Sequence, residues 1–97
     1  SDPASDLAVC LAVISASRGG TVPMDTAAIG EVTLSGDVRG VPMIVERVAE
    51  AVRLGYRRIL VPRGTQTRSA RRWPTGTLIE IGSLTEALSA STGLATD

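Results

Sequence analysis

The run Leu7-Ala8-Val9-Cys10-Leu11-Ala12-Val13-Ile14 sets the first constraint on any fold this chain can adopt. It is entered through Asp2-Pro3 and left through Gly19-Gly20. Asp2 suits a helix N-cap, and Pro3 suits a first turn, where a missing N–H costs nothing. Paired glycines provide the stop. A helix from about Pro3 to Arg18 is predicted, because the segment is too long for a buried strand. It is apolar on nearly every face, so it is expected in a domain interior, between a sheet and a further layer.

The remaining segments alternate in type. Ala28 to Leu34 reads as a strand, Ser35-Gly36-Asp37 as a turn, and Val38 to Val41 as its return, so a hairpin is expected. Pro42 precedes a second helix, about Met43 to Leu54, with Ile44, Val45, Val48 and Val52 on its apolar stripe. Gly55 ends it. Arg57 to Pro62 reads as a short strand, Arg63 to Gly76 as a polar loop and Thr77 to Ile81 as another strand. Ser83-Leu84-Thr85-Glu86 has the form of a capping box opening a last helix. The fold class is α/β, in a mixed-layer sandwich. Ninety-seven residues allow one domain, 1–97, with a frayed tail over 89–97. The chain opens without Met at a helix start, and it reads as a C-terminal piece of a longer protein.

Several chemistries are excluded by residue type. Cys10 is the only cysteine, so neither an intrachain disulfide nor a thiolate metal cluster can form, and its apolar neighbours suit a small buried residue. His and Lys are both absent. No run reaches the roughly 18 apolar residues of a membrane span, and no signal peptide is visible, so a cytoplasmic origin is expected.

Net charge is zero, yet the charges are segregated. Between Ala51 and Ile79 lie Arg53, Arg57, Arg58, Arg63, Arg68, Arg71 and Arg72, with no acid. The rest of the chain holds three arginines and all ten acids. A basic block of this kind suits a polyanion partner. The alternative is a surface on which Arg has generally replaced Lys.

These residues resemble Lon-type proteases and, more closely, the Lon-like C-terminal domain of the RadA/Sms DNA-repair family. The resemblance rests on Asp6 to Val9, Gly30-Glu31, Leu34 to Arg39, Val41-Pro42, Glu46-Arg47, Ala49 to Ala51, Leu54 to Arg58 and Val61-Pro62, in that order. It covers nearly the whole chain. It implies the ribosomal protein S5 domain 2-like, Lon proteolytic-domain-like fold, here lacking the strands that precede Asp2 in the family. Sheet edges left bare in that way are expected to pair or exchange between chains.

Lon enzymes use a Ser–Lys dyad. The matching positions here are Ala4 and Arg47. Alanine has no hydroxyl, and arginine stays protonated where a general base must be neutral. Ser5 is rotated by about 100° from the nucleophile position on a helix. Arg47 is read instead as a helix-surface ion pair with Glu50, the alternative being an interface contact.

The resemblance therefore implies a non-catalytic oligomerisation and DNA-binding domain. The full-length family is implied to be a hexameric, ATP-dependent, DNA-dependent ATPase in recombinational repair, acting in branch migration and with a recombinase partner. ATP, Mg and Zn are implied for that longer protein, and no cofactor is expected on these residues. The expected partner is single-stranded or branched DNA. The DNA-contact candidates are Arg63, Arg68, Arg71 and Arg72, because a loop can expose them, together with Trp73. Trp73 either stacks on an unpaired base or anchors the loop to the domain. Two alternatives stand beside this reading: a purely structural assembly domain with arginines at subunit interfaces, and a Lon-family peptidase.

Overall fold

The computed structural model describes residues 2–92. Asp2 caps the first turn as expected: its Oδ1 accepts the Ala4 N–H at 3.1 Å, opening a 3₁₀ turn at Pro3–Ser5. Helix α1 follows at Asp6–Ser17. Strand β1 is Thr26–Ala28, β2 is Glu31–Val32, β3 is Val38–Arg39, and helix α2 is Ile44–Arg53. Strand β4 is Arg58–Pro62, a four-residue helix α3 is Thr65–Arg68, β5 is Leu78–Ile81, and α4 is Leu84–Thr92. The expected tail over 89–97 is helical to Thr92, with Ser91 fully buried. Residues 93–97 lie outside the described residues.

Three strands form a parallel sheet in the order β1-β4-β5. Parallel neighbours need crossovers, supplied here by α2 between β1 and β4 and by the α3 segment between β4 and β5. Alternation along the central strand β4 assigns side chains to two cores. Ile59 and Val61 pack with Ala4, Ile29, Val48 and Ala51 on the α2 side. Leu60 packs with Leu7, Leu11, Val38, Ile81 and Ala87 on the side of α1 and α4. The result is a mixed α/β molecule with helices on both faces of a small sheet.

Two expectations are revised here. The run expected as one strand from Ala28 to Leu34 is split between two sheets: β1 joins the parallel sheet, while β2 pairs antiparallel with β3. The reason lies at Gly30, which spends its hydrogen bonds on the start of α1. Its N–H donates to the Ala4 carbonyl at 3.1 Å, and its carbonyl accepts the Leu7 N–H at 3.0 Å. A Cβ there would stand 2.8 Å from Val38 Cγ1. The close approach needs glycine, and it ends the strand. The hairpin itself forms as expected, docked on the end of β5 by Val38 N–H to Gly82 O at 3.0 Å and Leu84 N–H to Gly36 O at 2.8 Å.

Helix α1 is also less enclosed than its composition suggests. Leu7, Leu11 and Ser15 form a buried strip at four-residue spacing, while Val9 and Val13 are 58% and 63% exposed. Only one strip of a helix can reach a single sheet, and α4 is the one other helix layered on that side.

Candidate nucleic-acid interface

The arginine segment leaves β4 at Pro62 and returns to β5 at Leu78. It was expected as a loop throughout, but its first part is helical. Gly64 takes φ +94°, in the left-handed region, and Thr65–Arg68 coils behind it as α3. Thr65 Oγ1 donates to the Pro62 carbonyl at 2.6 Å, tying the turn to the strand end. The clamp that holds this turn comes from the neighbouring strand, in a role the sequence does not announce. Glu80, on β5, accepts the Gly64 N–H on Oε1 at 2.9 Å and the Gln66 N–H on Oε2 at 2.8 Å. Its one sequence signal is an acid inside the otherwise apolar strand Leu-Ile-Glu-Ile.

The five candidate residues divide in the structure. Arg63 is turned to the start of α4, where its Nη2 donates to Glu86 Oε1 at 2.7 Å. The Arg68 guanidinium lies against Gly64, within 3.4–3.6 Å of where a Cβ would stand. Arg71 lies over the Trp73 ring, 4.1 Å from its centroid, a cation–π contact. Trp73 is half-buried and packs against the α2-side core. Arg72 is exposed and, with Trp73, lines a cavity of ≈ 480 Å³ shared with Gln66 and Glu80. Among the described residues, Arg68, Arg71 and Arg72 form no salt bridge, whereas Arg63 does. Three uncompensated guanidinium groups are thus held on one short, clamped segment.

One other expected pairing is replaced. Arg47 does not pair with Glu50: its Nη1 donates to Asp2 Oδ2 at 3.0 Å, and its Nε donates to the Pro42 carbonyl at 3.0 Å. Glu50 is held by Arg53, one turn on. Arg58 donates to the Ala90 carbonyl at 2.9 Å. In the capping box, Ser83 Oγ accepts the Glu86 N–H at 3.1 Å, and Glu86 reaches back to the Gly82 N–H at 2.6 Å. Ala4 and Arg47, far apart in sequence, line one cavity of ≈ 550 Å³ between α1 and α2. Met43, at φ +61°, stands on its rim. Ala4 is 5% exposed, so the position presents only a buried methyl.

Four carboxylates are held below their usual range, Glu50 by its hydrogen bond from Arg53. For Glu80 the cause is the Gly64 N–H, then that of Gln66; for Glu86 it is the Gly82 N–H, with Arg63 adding to it. For Asp2 it is the Ala4 N–H, then Arg47. A folded-state pKa below the unfolded one adds stability above the unfolded value, and that stability is lost as pH falls through the folded value. The urea midpoint should therefore hold at neutral pH and drop as pH falls below about 4.5, the ordinary glutamate value. Glu80→Gln should cost about 1 kcal/mol at pH 7, since charged acceptors are worth more than neutral ones but this one is partly solvated. The variant should also lose part of the acid dependence. An unchanged acid slope would remove Glu80 from that account.

The family model described as subunit ChlI of Mg-chelatase matches residues 2–65. The DNA repair protein RadA of Haemophilus influenzae is 43% identical over 70 residues, covering 72% of this chain and 15% of that protein. RadA of Brucella abortus is 39% identical over 85 residues, covering 84% and 18%. RadA of Pseudomonas aeruginosa is 42% identical over 90 residues, covering 92% and 19%. The chain spans less than a fifth of the length of these curated relatives. No helix among the described residues is long and apolar enough to cross a membrane. The chain belongs to the family that the ChlI model describes, as a member similar to the DNA repair protein RadA.

Proposed function

We propose that this chain is a non-catalytic, Lon-like module of a RadA-type DNA repair protein, contributing DNA contacts and subunit assembly. The carrying observation is the clamped arginine segment, with Arg68, Arg71 and Arg72 unpaired by carboxylates in a stretch of sequence that holds no acid. Guanidinium groups placed in that way bind phosphates without reading bases. The finer fold assignment, S5 domain 2-like, belongs to the same proposal and is compatible with helices on both faces of the parallel sheet. The proposal extends to an ATP-dependent, hexameric, branch-migrating whole protein, using ATP, Mg and Zn outside these residues and acting in the cytoplasm, as the resemblance to the RadA/Sms family implies.

The non-catalytic part rests on chemistry. The Arg47 guanidinium is fully charged and already engaged by Asp2 and Pro42, and no hydroxyl stands at Ala4 to activate. Peptide hydrolysis by the purified chain that survives Ser5→Ala would overturn it. The DNA part is tested by fluorescence anisotropy across a salt series. Binding should weaken steadily as salt rises, and binding insensitive to salt would count against phosphate contacts. In the assembly-only alternative, the same arginines sit between subunits, and their loss breaks an oligomer in sedimentation before it touches DNA.

A further inference from the structure

We propose that the cavity behind the arginine segment is a pocket for one unpaired nucleobase, selective for bases that carry an exocyclic amine. This rests on the DNA-binding reading and deepens it by a base preference. A base needs an aromatic face, polar groups at its edge and a cation for the adjoining phosphate. The cavity, ≈ 480 Å³, is lined by groups of all three kinds, with Arg71 lying over the Trp73 ring. Trp73, Pro74 and Leu78 give it apolar walls, and Gln66, Glu80 and Arg72 give it polar ones.

The edge chemistry selects among bases. Gln66 spends an amide N–H on the Arg71 carbonyl at 2.9 Å, which leaves its Oε1 as an acceptor. Each Glu80 oxygen takes one backbone N–H and keeps further lone-pair capacity. A pocket presenting acceptors prefers bases with an exocyclic amine, adenine, cytosine and guanine, over thymine. Arg72 lines the same cavity and reaches the phosphate, offsetting the Glu80 charge. Arg71 now holds the indole by a cation–π contact, which is weaker at an exposed site than base stacking on an aromatic ring. An incoming base can therefore displace it and release its guanidinium to the backbone. Bases of an intact duplex are stacked and cannot enter without being flipped.

Trp73 is the only tryptophan, so its emission reports the pocket directly. The chain is titrated with oligo(dA), oligo(dC), oligo(dT), an abasic strand of equal length and a duplex. The expected result is saturable quenching by oligo(dA) and oligo(dC), with affinity roughly tenfold above that for the abasic strand. Oligo(dT) should bind more weakly, and the duplex should leave the emission unchanged. Trp73→Phe keeps an aromatic wall and should retain the preference for base-bearing strands in anisotropy, whereas Gln66→Ala should bring oligo(dA) and oligo(dC) toward the oligo(dT) level. Equal binding of base-bearing and abasic strands, with constant emission, would overturn the pocket and leave the phosphate-binding surface standing. Binding of no strand at all would overturn both.

Discussion

Replacing Arg63, Arg68, Arg71 and Arg72 together by alanine is expected to weaken DNA binding by roughly 100- to 1000-fold at low salt, at about 1 kcal/mol for each lost phosphate contact. The salt slope should fall by about 3 in the same variant, since each contact to a single strand contributes about 0.7. The fold should survive, because all four side chains are largely solvent-facing. Glu86, released by the loss of Arg63, still accepts the Gly82 N–H at 2.6 Å. Single replacements should rank the residues. Arg68, Arg71 and Arg72 should each cost more than Arg63, whose guanidinium must leave Glu86 to reach a phosphate. Anisotropy at several salt concentrations measures both quantities. Unchanged affinity in the fourfold variant would remove DNA from the role of this surface, and an oligomer lost in sedimentation at unchanged strand affinity would transfer the arginines to assembly.

Leu60→Ala should give the largest loss of stability. Leu60 is fully buried on the central strand, flanked by β1 and β5 and facing Leu7, Leu11 and Ala87. Truncating such a side chain costs about 2–5 kcal/mol, the spread depending on how far the neighbours close the gap. At about 4–8 °C per kcal/mol for a domain of this size, Tm should fall by at least ~10 °C. Domains commonly hold only about 5–15 kcal/mol, so the variant would sit near its unfolding threshold. Val13→Ala is the control: its side chain is 63% exposed on α1 and should change stability by less than about 0.5 kcal/mol. Urea melts of the two variants make the comparison. Equal losses would mean that the outer face of α1 is covered in solution, which a concentration-dependent Tm would confirm.

The first helix shows how far local pattern carries. Asp2, Pro3 and the paired glycines place its ends to within a residue or two, because caps and stops act between covalent neighbours. Its extent of burial was not legible, since apolar side chains all round say nothing about how many layers surround them. The strand at 28–34 was misjudged for a related reason. Its composition is uniformly strand-like, and the break at Gly30 comes from hydrogen bonds to Ala4 and Leu7, contributed by another element. The clamping role of Glu80 was not legible because its partners, the Gly64 and Gln66 amides, precede it by most of a loop and are backbone groups that any sequence possesses. Arg47 was assigned the carboxylate one turn away, yet the fold brings Asp2, at the cap of the first turn, within 3.0 Å of its guanidinium.

Residue identity alone determined what this chain lacks and carries: a methyl and a guanidinium at Ala4 and Arg47, no other Lys or His, and seven arginines in one acid-free stretch. Those are properties of side-chain chemistry, and no fold can alter them. Tertiary structure alone decided that Ala4 and Arg47 share one cavity, that Arg63 is neutralised while Arg68, Arg71 and Arg72 are not, and that Trp73 stands between the core and Arg71. These depend on which distant groups the packed sheet and helices bring within a few ångströms, a distance that sequence separation does not encode.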